Sequence, residues 1–274
     1  MKHLLSLFVS SLSLVICVAV VAASVQEATP PHVGAETQVT PQCKAARSQV
    51  WAAAAWSEQA RCWLVVWREG YLNEDACDIW CARVGVDGKP LDPAGVRLTK
   101  GDGLKDMPHV ASDGKGFLVV WEDLSNGRDW DVRGVLVSAD GKVEGQDSIL
   151  VAGGRHNQCR PDVTFAAGNY VVVWQGLTGD GSPNTPGTAY AVFAARVSPA
   201  GKRLDDKPIE VVAVQKASHA FSPVVTSHGN NVLAACYVSS FAAGNDYLAR
   251  RAIDAAAGTR AGSVARAIND RPPG

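Results

Sequence analysis

The chain lacks an excess of either charge. Its 26 lysines and arginines meet 27 aspartates and glutamates, a formal net charge of -1 over 274 residues. A nucleic-acid partner normally demands a basic stripe, so that class is excluded as a reading. No block of like charges occurs either. Three motif types are also missing: a Gly-x-Ser-x-Gly nucleophile elbow, a His-Glu-x-x-His metal helix and a phosphate-cradling glycine loop. His109, His156, His219 and His228 are single and scattered. No cofactor is implied by any segment. Long helical periodicity is absent, and glycine and β-branched residues are frequent throughout.

One long apolar run is present, at the start. Met1-Lys2-His3 precedes Leu4 to Ala23, an apolar stretch relieved only by serines, and Ala22-Ala23-Ser24 supplies small residues for cleavage. Residues 1–24 therefore read as a signal peptide, with an uncleaved anchor as the alternative because the run could just span a bilayer. No second run of spanning length follows, so no membrane span is expected after signal removal. The implied location is secreted, periplasmic or cell-surface.

Six cysteines remain beyond that segment: Cys43, Cys62, Cys77, Cys81, Cys159 and Cys236. An even number in an exported chain predicts disulfides, with about 15 possible pairings. Cys77-x-x-x-Cys81 has metal half-site spacing, but neither a second pair nor a nearby histidine completes it, so no metal site is expected.

Residues 25–41 are rich in Pro, Thr, Ala and Glu without period and read as a disordered linker. From 42 to 274 the chain repeats itself. Trp63-Leu-Val-Val-Trp67, Phe117-Leu-Val-Val-Trp121 and Tyr170-Val-Val-Val-Trp174 alternate with the period of a strand. A degenerate fourth copy, Val232-Leu-Ala-Ala-Cys-Tyr237, aligns Tyr237 with the tryptophans. Upstream, Pro108-His-Val-Ala, Pro161-Asp-Val-Thr and Pro223-Val-Val-Thr each open a strand, with Gln49-Val-Trp-Ala in the first copy. Downstream, a third strand leads to Gly88-Lys89, Gly141-Lys142 and Gly201-Lys202 turns, and a short fourth strand follows.

Each unit thus holds four short strands, over repeats of about 48–101, 102–153, 154–212 and 213–270. Such a sheet cannot bury both faces alone. The fold class is all-β, a β-propeller of about four four-stranded blades, with paired β-sandwiches as the alternative. The unit Pro-x-Val-Ala, aromatic-Leu-Val-Val-Trp and Asp-Gly-Lys resembles a repeat of large secreted bacterial proteins, including RTX-type surface proteins. The resemblance covers residues 48–270 and implies fold and compartment, not activity. The glycine-aspartate nonapeptides that bind calcium in RTX proteins are absent, so calcium is not carried over.

Function is expected on the face where the second-to-third-strand loops and the inter-repeat loops emerge, because those loops vary. The candidate ligand-binding residues are Arg68 and Glu69 from the first repeat, Glu122, Asp123, Arg128 and Asp129 from the second, and His156 and Arg160 from the loop before the third. The repeated Trp67, Trp121 and Trp174 are expected to pack between blades and not to stack on sugar. The favoured reading is an exported binding or structural module for an extracellular protein or glycan. The alternative is a glycan hydrolase using carboxylates at the propeller mouth.

Overall fold

The computed structural model describes residues 36–40, 48–70, 76–178, 188–214, 218–240 and 246–266. The chain falls into two compact units, Met1–Glu36 and Thr37–Gly274, and every described strand belongs to the second. The expected signal segment and most of the expected linker lie outside the described residues.

Among the described residues, sixteen strands form four antiparallel sheets. The first blade is β1 (Gln49–Ser57), β2 (Cys62–Glu69), β3 (Asp78–Gly85) and β4 (Val96–Arg97). The second is β5 (Lys105–Ser112), β6 (Phe117–Asp123), β7 (Asp131–Val137) and β8 (Val143–Ala152). The third is β9 (Gln158–Ala166), β10 (Asn169–Leu177), β11 (Tyr190–Val197) and β12 (Ile209–Val212). The fourth is β13 (Ser218–His228), β14 (Asn231–Ser240), β15 (Tyr247–Asp254) and β16 (Thr259–Arg266). The strands of each blade are hydrogen-bonded in chain order, so each sheet is a four-stranded meander. These are the blades of a β-propeller.

Alternation along the second strand of each blade builds the core. Phe117, Val119 and Trp121 face the first blade and join Leu64, Val66 and Ile79. Leu118 and Val120 face the other way and meet Tyr170, Val172 and Trp174 of the third blade. Val171 and Val173 then meet Val232, Ala234 and Cys236 of the fourth. Trp121 and Trp174 are 2% and 0% exposed and pack between blades as expected, whereas Trp67, 5% exposed, lies on the outer face of the first blade beside Gly95 and belongs to none of the inter-blade clusters.

The stack is open. β1 lies against β5, β5 against β9 and β9 against β13, yet no comparable contact joins β13 to β1 among the described residues. The two terminal faces show it. Trp63, whose counterparts Phe117 and Tyr170 are buried, is 39% exposed, and Leu233, Tyr237 and Leu248 stand out from the fourth blade.

The strand registers correct two sequence alignments. Val225 pairs with Ala234 as Val163 pairs with Val172, so Cys236, and not Tyr237, occupies the tryptophan position. Ala53 pairs with Val66 as His109 pairs with Val120, so Ala52, and not Gln49, takes the place of Pro108. The prolines do not open their strands. They follow a β-bulge inside β5, β9 and β13, where the ladder has already let go of one residue.

The disulfide expectation is overturned for the described cysteines: Cys62, Cys77, Cys81, Cys159 and Cys236 are all free. Cys62 pairs across the ladder with Gly85 and Cys81 with Val66. That offset is four residues, roughly 13 Å at strand spacing, beyond the roughly 7 Å reach of a disulfide. Cys159 and Cys236 sit in different blades, and Cys77 Sγ donates to the Lys105 carbonyl at 2.9 Å. Cys43 lies outside the described residues. At the end of the expected linker Thr40 is buried, and its methyl lies beside Gly95, which in turn abuts Trp67.

Candidate functional site

The site is built from a defect repeated in the first strand of every blade. Trp51, Met107, Arg160 and Ser222 occupy one equivalent position and have φ of 58°, 50°, 51° and 48°. Left-handed backbone is uncommon at a non-glycine residue and stores strain. Each lies at a register shift of its ladder. Recurrence in all four blades makes the bulge a device of the fold.

The residue after the second-strand aromatic caps the next bulge. Glu122 Oε2 accepts the Arg160 N–H at 2.8 Å. Gln175 Oε1 accepts the Ser222 N–H at 2.9 Å. Arg68 holds the same place in the first blade but can only donate. It forms an ion pair with Asp106, next to Met107, with Nη1 to Oδ1 at 2.8 Å. Both partners are buried, and the Arg68 Nε has no hydrogen-bond partner. Such an orphan donor marks a slot for a water or a ligand atom.

Asp106 and Glu122 face each other across the β5–β6 ladder. Side chains at such positions start about 4.5–5.5 Å apart. Their surroundings differ. Asp106 is clamped by the Arg68 guanidinium. The Glu122 carboxyl is pushed up from its ordinary value chiefly by burial, and the nearby Asp106 charge adds to this. The Arg160 N–H and the Arg160 and Arg68 charges oppose it. Environments that treat two carboxyls differently are what acid–base chemistry requires.

The structure therefore brings Arg68, Glu122 and Arg160 together, joined by Asp106 and Gln175. It separates the other candidates. Asp123 is buried and occupied: Oδ2 accepts from Trp121 Nε1 at 2.9 Å and Oδ1 from the Ser125 N–H. Arg128 and Asp129 pair with each other on the loop tip at 2.8 Å, and Asn126 Oδ1 accepts both of their N–H groups. Glu69 ends β2 opposite Asp78. His156 adopts φ 71° with Nε2 buried and without a partner. Its carbonyl accepts from Gln158 Nε2.

Sequence reading missed Asp106 and Gln175, and also Tyr190. Asp106 precedes the Met-Pro pair and carried no motif. Gln175 had a signal: it follows Trp174 as Glu122 follows Trp121. Tyr190 lies near Glu122 and Cys159. Burial raises its phenol's pKa first, and a side-chain bond with Asn157 opposes the rise.

No family model and no curated protein matches the chain. Solved structures do. An endo-arabinase from Bacteroides thetaiotaomicron is 11% identical, with a TM-score of 0.52 over 86% of each chain. The parainfluenza virus 5 hemagglutinin-neuraminidase ectodomain is 7% identical, with a TM-score of 0.57 over 89% of this chain and 60% of that one. At such identities the likeness speaks for the fold alone.

Proposed function

We propose that this protein is an exported, glycan-directed propeller whose contact site is the mouth around Arg68, Asp106, Glu122 and Arg160. The observation that carries the reading is the Asp106–Glu122 pair, two carboxyls opposed on one ladder and held in different electrostatic environments. Glycosidic-bond hydrolysis uses two carboxyls roughly 5–10 Å apart, one protonated to serve the leaving oxygen and one charged. In this reading Glu122 supplies the proton and Asp106, ion-paired with Arg68, assists attack at the anomeric carbon. The signal-like N-terminus and the repeat shared with exported bacterial proteins support the compartment. The names of endo-arabinase and neuraminidase, borne by proteins of similar architecture, support the substrate class.

A second reading is binding without hydrolysis. It is favoured by the burial of both carboxyls and by the bonds each already makes to an adjoining blade. One experiment separates the two. The full chain is incubated with a panel of arabinan, xylan, polygalacturonate and mannan, and both retention and new reducing ends are measured. Hydrolysis abolished by Glu122→Gln supports the enzyme. Retention without reducing ends supports the binder. Neither retention nor cleavage on any polymer overturns the glycan reading.

A further inference from the structure

Three aromatic rings gather on the Glu122 side of the mouth. Tyr190 opens β11, and His219 and Phe221 lie in the first half of β13. His219 and Phe221 are two apart on a strand and so share a face. Their rings stack at 5.5 Å with 8° between planes. Tyr190 tilts against both, at 6.2 Å from His219 and 5.7 Å from Phe221. The Tyr190 N–H donates to His219 Nδ1 at 3.2 Å, and the phenol bonds to Asn157. The cluster is therefore fixed from both strands before any ligand arrives.

Exposure separates these rings from the structural aromatics. Trp121 and Trp174 are sealed between blades, whereas Tyr190, His219 and Phe221 each keep part of their surface in solvent. The backbone elements that carry them, the starts of β11 and β13, lie at the variable-loop end. Arg160 is exposed, and its Nη1 approaches Ser222 Oγ at 3.5 Å, one residue beyond Phe221. An aromatic shelf thus adjoins a solvent-facing guanidinium.

We infer that Tyr190, His219 and Phe221 form a stacking subsite for a sugar ring that carries a carboxylate, with Arg160 as its counter-charge. This assignment rests on the glycan reading and narrows it to acidic polymers. A pyranose presents a face of C–H bonds with partial positive charge, and an aromatic face carries negative charge. A guanidinium recognises a carboxylate through paired N–H donors. A neutral sugar would use the shelf without the arginine.

The test is saturation-transfer NMR on the full chain with tri-galacturonate and a neutral galacto-trisaccharide of equal length. The expected result is transfer to ring C–H protons and tighter binding of the galacturonate. Phe221→Leu keeps apolar bulk but removes the aromatic face, and should weaken binding about tenfold while lowering the melting temperature by only a few degrees. Arg160→Gln should bring the galacturonate down to the affinity of the neutral sugar. Unchanged affinity in Phe221→Leu, or no preference for galacturonate in the wild type, overturns the subsite. If a neutral polymer from the panel above still binds, the glycan reading survives that failure. If nothing binds, both fall.

Discussion

The Glu122 carboxylate accepts the backbone N–H of Arg160 at 2.8 Å, and Gln175 makes the matching bond to Ser222 one blade further on. A carboxylate and an amide thus do one structural job at equivalent positions. Only the carboxylate brings a titratable group to that position.

That equivalence makes Glu122→Gln an informative substitution. The amide oxygen keeps the bond to Arg160, as Gln175 shows by example, so the fold should persist. The Glu122 pKa is raised in the folded state, so its favourable contribution is complete below about 4.5, the ordinary glutamate value, and is lost as pH rises through the folded value. Glu122→Gln should remove that loss, and its melting temperature relative to wild type should climb as pH rises from about 4 to about 8. Glu122→Leu takes the acceptor away from the Arg160 N–H and should cost about 1–3 kcal/mol at about pH 4, a cost that shrinks as pH rises and the wild-type carboxyl ionises. Equal pH profiles for wild type and Glu122→Gln would contradict the assignment.

Tryptophans at the same repeat position as Trp121, or at the strand start like Trp63, should differ sharply in energetic weight. Trp121→Ala empties a sealed inter-blade site and should cost about 3–5 kcal/mol. Trp63 lies on the open face of the first blade, so Trp63→Ala should cost well under half of that. Denaturant melts of the two variants decide it, and equal losses would show that the first blade's outer face is covered in solution.

Thiol chemistry gives a third check. Cys62, Cys77, Cys81, Cys159 and Cys236 should all react with Ellman's reagent once the chain is unfolded without reductant. In the native protein they should be nearly inert, since burial pushes Cys81, Cys159 and Cys236 up to about 12 and keeps their thiolates scarce. Fewer than five titratable thiols after unfolding would contradict the free-cysteine arrangement.

The blades were legible because their residues answer to local rules. The period-two alternation around Trp121, and the glycine at Gly141 with φ 82°, each force one geometry. What stayed hidden depends on neighbours. Tyr237 looked like the fourth tryptophan because it is aromatic, but the register seats Cys236 there, since β13 sets which residue of β14 faces the third blade. Asp106 has no distinguishing context in the chain, and only the stacking of blades brings Arg68 to it. The cysteine count suggested cross-links because number says nothing about distance. Candidate residues fared by the same rule: Glu122 sits where strand position put it, whereas Arg128 and Asp129 ended paired to each other at a loop tip.

Among the described residues nothing joins the fourth blade to the first as blades are joined elsewhere, and this gap also governs how the fold comes apart. A closed ring gives every blade two neighbours, so no unit can leave before the rest. An open series behaves as a one-dimensional array, in which stability is graded from the middle outward. The fourth blade sits at one end with Ala234 and Cys236 where the third blade has Val172 and Trp174, so its side of the seam holds the smallest side chains. Amide exchange should therefore begin there and advance inward, and the second and third blades, sheltered on both sides, should be the last to open.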